Sequence, residues 1–314
     1  MSESRNINMM SIAAVSSPDD VRVLSGSQQI ADVAVVIPAF NEEDSVGPTV
    51  SRVRDALGQT PHRCQILVVD DGSTDGTAGA ATGRGATVIQ LPENRGYGAA
   101  LKAGIVQTNA EFVAIIDADG TYPADALPKL IDLARNADMA VGARAMTDAS
   151  IAYMRRPAKL FLAALASYLV GRRIPDLNSG LRVMRRSVLN EFMHLLPQGF
   201  SFTTTITLAM MCTFHRVVYL PVACEPRVGT SKLRPREFGA FIMLVLRTVV
   251  LFNPLKVFLP LGALLFMVGA FKLVLDVYAW RLSETTVLGF LSAIVVWSVG
   301  LLADMIARLQ LKPR

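Results

Sequence analysis

The first half of the chain alternates short apolar runs with longer segments of mixed polarity. The apolar runs lie at 33–37, 66–69, 87–90, 112–116 and 139–142, and we interpret them as strand cores. The mixed segments predict helices that begin near Glu43, Thr74, Tyr97 and Pro123. This alternation predicts an α/β domain with a mostly parallel sheet and helices on both faces.

The second half of the chain changes to a helical pattern and ends in long apolar segments. Residues 155–222 predict helices, with one strand near 217–220. The apolar stretch 238–253, broken by Arg247, predicts a helix that lies along a bilayer surface. The runs 257–278 and 285–303 each span roughly 30 Å as helices, enough to cross a membrane. Their short connection predicts a hairpin.

We therefore expect four parts along the chain. These are a flexible extension at 1–30, the α/β domain at 31–235, an amphipathic interfacial helix at 236–254, and two transmembrane helices with a short basic tail at 255–314. The extension lacks the apolar core of a signal peptide. Basic residues flanking the hairpin outnumber the single Arg281 in its loop, so the positive-inside rule predicts a cytoplasmic α/β domain and cytoplasmic termini.

Composition excludes several classes of function. The net charge of +5 is small and scattered, which argues against a nucleic-acid partner. The three cysteines lie far apart and predict reduced thiols. The three histidines, His62, His194 and His215, have no partners at metal-ligand spacing, so we interpret them as structural.

The strongest chemical signal is a pair of carboxylates after an apolar strand, in Ile115-Ile116-Asp117-Ala118-Asp119. Side chains alternate along a strand, so Asp117 and Asp119 would point to the same side. Two hard oxygen ligands suit Mg²⁺ or Mn²⁺ held together with substrate phosphates. The alternative is an ordinary solvated turn, because Asp-x-Asp-Gly is also common turn chemistry.

Two earlier strands end in polar segments of the same kind, at 38–43 and at 70–76. Ligands of open parallel sheets bind outside the carboxyl ends of the strands, where these segments would meet. A dinucleotide-binding Rossmann domain is the rival interpretation. Its glycine fingerprint should follow the first strand, and 38–43 does not supply it.

These motifs together resemble glycosyltransferase family 2, the inverting enzymes of GT-A fold. The matching segments are VIPAFNEE at 36–43, VDDGSTD at 69–75, NRGYGAA at 94–100 and DADG at 117–120. The chain looks most like the branch of dolichyl-phosphate mannose synthases and bactoprenol glucosyltransferases, through GAR at 142–144, DLNSGLR at 176–182, FSFTTT at 200–205 and RVGTSK at 227–232. The resemblance covers roughly residues 32–314.

The resemblance implies roles for particular residues. Nucleotide binding is expected from Pro38, Phe40, Glu42, Asp71, Asp117, Arg227 and Lys232. A Mg²⁺ or Mn²⁺ ion is expected at Asp117 and Asp119, and Asp119, Arg144, Arg155, Arg156 and Ser179 are expected to serve catalysis, with Asn178 as a further neutral donor. The processive polysaccharide synthases of the same family carry a Gln-x-x-Arg-Trp segment, and this sequence has none. The metal loop also departs from the family pattern, because 120–122 reads Gly-Thr-Tyr where many relatives place a glutamine, which leaves the third metal ligand open.

The expected reaction moves one hexose from a nucleotide-sugar, of UDP-glucose or GDP-mannose type, to a membrane polyprenyl phosphate. A phosphate monoester is largely a dianion at pH 7, so it can attack without a general base. Asp176 would then orient an arginine. Three alternatives stay open: another lipid or saccharide acceptor, an inactive membrane scaffold, and a purely structural use of the basic residues, either on anionic lipid or paired with acids. The protein is a possible homo-oligomer.

Overall fold

The structure is a computed structural model. It describes residues 22–24, 31–144, 166–168, 170–199, 201–225, 243, 246–247 and 249–310. Most of the predicted interfacial helix at 236–254 lies outside these residues, and so do four predicted site residues, Arg155, Arg156, Arg227 and Lys232. The described chain divides into two compact units, the larger of which contains the sheet.

One eight-stranded mixed sheet forms the larger unit. Its strands are β1 Arg22–Leu24, β2 Val33–Ala39, β3 Cys64–Asp70, β4 Thr87–Gln90, β5 Phe112–Ile115, β6 Met139–Arg144, β7 Arg182–Arg185 and β8 Val217–Val222. They lie in the order β1-β4-β3-β2-β5-β7-β6-β8. Only β1 and β7 pair antiparallel with their neighbours, so the other six of these strands run in one direction.

Helices cover both faces of this sheet, as predicted. They are α1 Glu43–Gly58, α2 Thr77–Thr82, α3 Tyr97–Val106, α4 Leu127–Arg135 and α5 Arg186–Phe192. The next helix, α6 Phe202–Cys212, belongs to the smaller unit from Leu208 onwards. Alternate residues of β2 serve the two faces: Val35 belongs to the core cluster that includes Val50 of α1 and Leu130 of α4. Val36 instead lies against Gly104 of α3, so closely that a β-carbon on Gly104 would overlap it.

Two strands differ from the sequence-based prediction. The five predicted strand cores and the strand near 217–220 are present: β2, β3, β6 and β8 are longer than predicted, β4 has the predicted bounds, and β5 ends one residue earlier than predicted. Strand β7 lies in a region predicted to be mainly helical. The strand was not predicted because its sequence, Arg-Val-Met-Arg, lacks the apolar run of a central strand. Strand β1 lies within the predicted flexible extension, where three residues pair antiparallel with β4.

Two long helices, α7 Leu255–Tyr278 and α8 Glu284–Gln310, form the described core of the smaller unit. Glycines let them approach closely: Gly269 and Gly289 meet backbone to backbone, and Trp297 packs against Gly262. Asp276, which interrupts the apolar pattern, pairs with Lys272 at 3.2 Å and accepts a hydrogen bond from the backbone nitrogen of Ser283 at 2.8 Å. It therefore closes the turn of the hairpin.

The helices α7 and α8 expose apolar side chains along most of their length, including Phe271, Val287 and Leu302. Both are long and apolar enough to cross a membrane. Apolar side chains exposed on a scale this large are unstable in water and stable in lipid. This observation agrees with the predicted two-helix membrane hairpin.

Candidate active site

The candidate site lies at one edge of the sheet, where the parallel strands end and the antiparallel β7 begins. The segments that follow β2, β3 and β5 reach this edge, together with Arg144 at the end of β6 and residues 176–181, which precede β7. A topology of this kind brings side chains from distant parts of the chain to one crevice. Each predicted site residue that the structure describes lies in or beside one of these segments.

The loops after β2 and β3 are hydrogen-bonded to each other. Asn41 adopts a positive φ of 54°, a conformation that asparagine tolerates better than most residues. Its backbone nitrogen donates to the Ser73 hydroxyl at 2.9 Å, and its side-chain oxygen accepts from the Thr74 nitrogen at 2.9 Å. Next to this junction Phe40 leaves 42% of its surface exposed. The loops thus present an aromatic ring at a fixed position.

Asp71 is buried and holds the next loop in place. Its two carboxylate oxygens accept hydrogen bonds from the backbone nitrogens of Arg95, at 2.9 Å, and Gly96, at 2.8 Å. Burial raises the pKa of this carboxyl, although both hydrogen bonds act in the opposite direction. Its predicted contact with the nucleotide would have to use the remaining lone pairs of the same oxygens.

The two carboxylates after β5 lie just beyond the strand. Because β5 ends at Ile115, strand alternation does not determine where Asp117 and Asp119 point, which corrects the geometric argument made from the sequence. Asp119 accepts a hydrogen bond from the Thr121 backbone nitrogen, two residues on, at 3.0 Å. Such a bond is typical of an aspartate in a turn, the alternative to a metal ligand that the sequence left open. Asp117 accepts one from the Tyr97 hydroxyl at 2.8 Å.

Asp117 is electrostatically strained. Burial raises its pKa to about 6, against the lowering effects of the Tyr97 hydrogen bond and of the positive charges of Arg182 and Arg144. The negative charge of Asp119 raises this pKa further. A divalent cation between two such carboxylates would relieve their repulsion, so these residues fit a metal ion.

The protein ligands available at the site also indicate which kind of metal ion would bind. Within the described part of the chain, no cluster of three or more histidine, cysteine, aspartate or glutamate side chains could hold a metal ion. Mg²⁺ commonly takes one or two carboxylates and completes its shell with water and substrate phosphates. Asp117 and Asp119 suit that mode of binding better than a closed structural site.

Arg144, at the end of β6, is oriented by a buried acid. Its Nε and one terminal nitrogen donate to the two carboxylate oxygens of Asp176, at 2.7 and 2.9 Å. Burial is the largest single influence on the pKa of Asp176 and raises it, but the hydrogen bonds and positive charge of Arg144, together with the backbone hydrogen bond from Asn178, outweigh burial and hold the pKa below its ordinary value. The hydrogen bonds between the two side chains raise the pKa of Arg144. The pairing of Asp176 with an arginine, expected from the sequence, is confirmed.

Ser179 has a different place from the one expected. Its hydroxyl is fully buried and donates to the carbonyl oxygen of Gly142 at 2.6 Å, so it fastens its own loop to β6. The side-chain oxygen of Asn178 likewise accepts hydrogen bonds from the Thr203 and Thr204 hydroxyls. Both side chains therefore stabilise the wall of the site.

The remaining predicted residues fall into two groups. Pro38 lies within β2, opposite Val69 of β3, and Glu42 accepts a hydrogen bond from Ser45 at the start of α1. Arg155, Arg156, Arg227 and Lys232 lie outside the described residues, so their roles stay predictions.

Four residues at the site were given no role from the sequence. They are Tyr97, Tyr122, Gly180 and Arg182, of which all but Tyr122 lie in the quoted motifs. The Tyr122 hydroxyl accepts a hydrogen bond from the Gly180 nitrogen at 2.8 Å. The motifs marked three of these positions, but only the geometry assigns them contacts.

The fold and the site together define a GT-A-type glycosyltransferase with a membrane hairpin. Sequence comparison agrees: residues 34–193 match "Glycosyl transferase family 2", and residues 253–309 match "GtrB C-terminal hairpin". The chain therefore belongs to glycosyltransferase family 2. The predicted family and enzyme class are confirmed.

Three similar proteins carry related names. A dolichyl-phosphate hexose transferase of Haloferax volcanii is 33% identical over 67% of this chain and 90% of its own length. A dodecaprenyl-phosphate galacturonate synthase of Rhizobium johnstonii is 29% identical over 92% of both chains. An undecaprenyl-phosphate mannosyltransferase of Micrococcus luteus is 28% identical over 68% of this chain and 93% of its own.

Solved structures share the fold at lower identity. A glucosyl-3-phosphoglycerate synthase from Mycobacterium tuberculosis, crystallised with Mn²⁺, UDP and glucosyl-3-phosphoglycerate, is 21% identical and has a TM-score of 0.55. The similarity covers 70% of this chain and 79% of that one. It establishes the architecture of the sheet domain.

Proposed function

We propose that the protein transfers a single hexose, with inversion, from a nucleotide-sugar to a membrane polyprenyl phosphate. The observation that carries this proposal is the placement of a cation-binding feature and an anion-binding feature at one edge of the sheet. One is the carboxylate pair Asp117 and Asp119, and the other is Arg144, held in place by Asp176. The names of the relatives, all polyprenyl-phosphate sugar transferases, support the same acceptor.

The donor is expected on the carboxylate side of the site. Asp117 and Asp119 would hold Mg²⁺ or Mn²⁺, which neutralises charge on the departing nucleoside diphosphate. Phe40, exposed beside the junction of the β2 and β3 loops, offers its ring to the base. Asp71 would contribute from the neighbouring strand end, and Arg227 and Lys232 are proposed to contact the phosphates. We propose a donor of UDP-glucose or GDP-mannose type.

The acceptor is expected beside Arg144. Two of its guanidinium nitrogens bind Asp176, which fixes the plane of the group and leaves the other terminal nitrogen for a phosphate. Asp176 is a poor candidate for a general base, because its oxygens are occupied and its pKa is lowered. A lipid phosphate needs no base, since its own dianion is the nucleophile. The site therefore suits a phosphate acceptor better than a sugar hydroxyl.

Membrane attachment fits this chemistry. The hairpin of α7 and α8 would hold the enzyme at the surface where polyprenyl phosphates reside. We propose that the catalytic unit and both termini face the cytoplasm, as the distribution of basic residues predicts.

The test is transfer by the purified full-length protein. UDP- and GDP-sugars would be combined with undecaprenyl phosphate, dolichyl phosphate, or the corresponding alcohol, and the anomeric configuration of the product would be determined by NMR. We expect a β-linked sugar phosphate from an α-linked donor and no product from the alcohol. Retention of configuration, or equal use of the alcohol, would refute the mechanism, and the absence of transfer in every combination would favour a scaffold.

A further inference from the structure

Arg182, the first residue of β7, is a fully buried cation whose hydrogen-bond acceptors are neutral, namely three oxygens and, at 3.8 Å, the sulfur of Met139. Its Nε and one terminal nitrogen donate to the carbonyl oxygen of Ser179, at 3.1 and 2.6 Å. Its other terminal nitrogen donates to the carbonyl oxygen of Thr203 and the hydroxyl of Thr207, at 3.1 and 3.0 Å. A buried guanidinium is costly, so an arginine here calls for a reason beyond filling space.

Both polar groups of the Ser179–Gly180 peptide, its carbonyl oxygen and its N–H, are hydrogen-bonded. Arg182 binds its carbonyl oxygen twice, and the Tyr122 hydroxyl accepts its N–H at 2.8 Å. A β-carbon built on Gly180 would overlap the carboxylate of Asp117. Gly180 of this peptide is therefore in close contact with the Asp117 carboxylate, one oxygen of which accepts a hydrogen bond from the Tyr97 hydroxyl.

The same short segment reaches the acceptor side of the site. We name residues 176–181 the bridging loop. Its first residue, Asp176, orients Arg144, and its Ser179 hydroxyl donates to Gly142, two residues before Arg144 in β6. One loop thus contacts a proposed metal ligand and the proposed lipid-phosphate ligand.

We propose that Arg182 is a positioning residue that fixes the bridging loop and thereby sets the distance between the donor carboxylate Asp117 and the acceptor arginine Arg144. The proposal rests on the proposed function, because it assigns Asp117 to the donor and Arg144 to the acceptor. Arg182 itself touches neither substrate. Its two hydrogen bonds to the Ser179 carbonyl oxygen hold the bridging loop, and its hydrogen bonds to Thr203 and Thr207 hold the guanidinium group itself in place.

A purely structural role predicts a different result. If Arg182 only stabilised the core, its replacement would lower the melting temperature but leave the folded fraction with normal substrate affinities. If it positions the bridging loop, folded protein should lose affinity on both sides of the site, because Asp117 and Arg144 depend on the same loop.

The test compares Arg182→Met, Arg182→Lys and the control Thr207→Val in full-length protein. Thr207→Val removes the hydrogen bond that Thr207 accepts from Arg182 and the one that its hydroxyl donates to the Thr203 carbonyl oxygen, and it leaves in place the partners of both Arg182 bonds to Ser179. Binding of Mn²⁺ in the presence of UDP or GDP is measured by EPR, and KM for undecaprenyl phosphate by transfer assay, both on protein whose folded fraction is known from circular dichroism.

We expect Arg182→Met to weaken Mn²⁺ binding and to raise KM for the lipid by about tenfold or more each, as for a lost hydrogen bond to a charged group. Arg182→Lys, which can restore one bond to Ser179, should recover part of both affinities, and Thr207→Val should stay within about threefold of wild type. Folded Arg182→Met with wild-type affinities would overturn the proposal. If that variant does not fold, wild-type affinities in Arg182→Lys would overturn it.

The wild-type protein separates this proposal from the proposed function. Wild-type protein that neither binds Mn²⁺ with nucleotide nor transfers sugar to undecaprenyl phosphate would refute the proposed function itself. Wild-type activity together with unaltered Arg182 variants would refute only the positioning role.

Discussion

Replacing Gly180 by alanine should disable the site through a single methyl group. An ideal β-carbon on Gly180 has the three carboxylate atoms of Asp117 as its nearest neighbours, and even the farthest, Oδ1, would lie at 2.5 Å. That atom would have to retreat by about 0.9 Å to reach an ordinary contact of 3.4 Å, and the other two by more. A shift of this size would disturb the hydrogen bond from the Tyr97 hydroxyl to Oδ1, which is now 2.8 Å long.

The magnitude follows from these two changes. Overpacking costs roughly 1–3 kcal/mol, and a weakened hydrogen bond to a charged group costs about 1.5–3 kcal/mol. A catalytic group displaced by roughly 1 Å can lower the rate about a hundredfold. We therefore expect Gly180→Ala to remain folded, to melt several degrees lower and to transfer sugar about a hundred times more slowly.

Gly79→Ala is the matched control. Gly79 lies within α2, and a β-carbon there would meet no atom within 4 Å. Alanine should therefore leave transfer unchanged and raise the stability by about 0.5–1 kcal/mol. Transfer rates and Mn²⁺ binding would be measured for both variants beside thermal unfolding. A folded Gly180→Ala protein with wild-type Mn²⁺ binding and turnover would show that the position of Asp117 does not depend on its close contact with Gly180.

Four further predictions concern the metal, a buried charge, the acceptor and the topology. Asp119→Asn should abolish transfer and leave the fold intact, and chelation of divalent ions should have the same effect; full activity in excess chelator would contradict the metal assignment. Because burial raises the pKa of Asp117 to about 6, above its value in the unfolded chain, its ionisation destabilises the metal-free protein above pH 6. Asp117→Asn should then exceed wild type in free energy of unfolding at pH 8 by at most about 3 kcal/mol, and should melt at a higher temperature. The difference should vanish near pH 4, and an equal or lower melting temperature at pH 8 would contradict this. Arg144→Ala should raise KM for polyprenyl phosphate about tenfold or more while nucleotide binding stays nearly unchanged, and Asp176→Asn should show a smaller effect of the same kind; equal loss of nucleotide affinity would place Arg144 on the donor side. Reporter fusions at residues 1 and 314 should read as cytoplasmic and one at Ser283 as external, and an external carboxyl terminus would overturn the two-span topology.

The sheet was predictable wherever burial on both faces leaves a continuous apolar run. Strand β2 is the clearest case, since all seven of its residues are buried. Strand β7 was missed because arginines stand at both of its ends. One of them, Arg182, is fully buried and satisfied by oxygens that only the folded chain brings together. Local sequence carries no signal for such partners.

The candidate site was predictable as a set of residue types and less so as a set of contacts. Asp117 was expected from its place after an apolar run, but the Tyr97 hydroxyl that holds it comes from the start of α3. Ser179 was expected to face a substrate, and its burial against Gly142 depends on the antiparallel entry of β7. Motifs therefore identified the segments that meet, whereas the direction of each side chain required the topology.

In the proposed function, the bridging loop would let a nucleotide-sugar fold serve a second, phosphorylated substrate. Donor and acceptor both bring negative charge, so the enzyme must bind two anions close together without merging their sites. Asp117 and Asp119 suit a cation, whereas Asp176 neutralises and orients an arginine. Because the bridging loop contacts both Asp117 and Arg144, the positioning proposal predicts that a displacement on one side reaches the other. Its anchor, Arg182, carries a positive charge that lowers the pKa of Asp117 and so favours the ionised carboxylate that a metal ion requires.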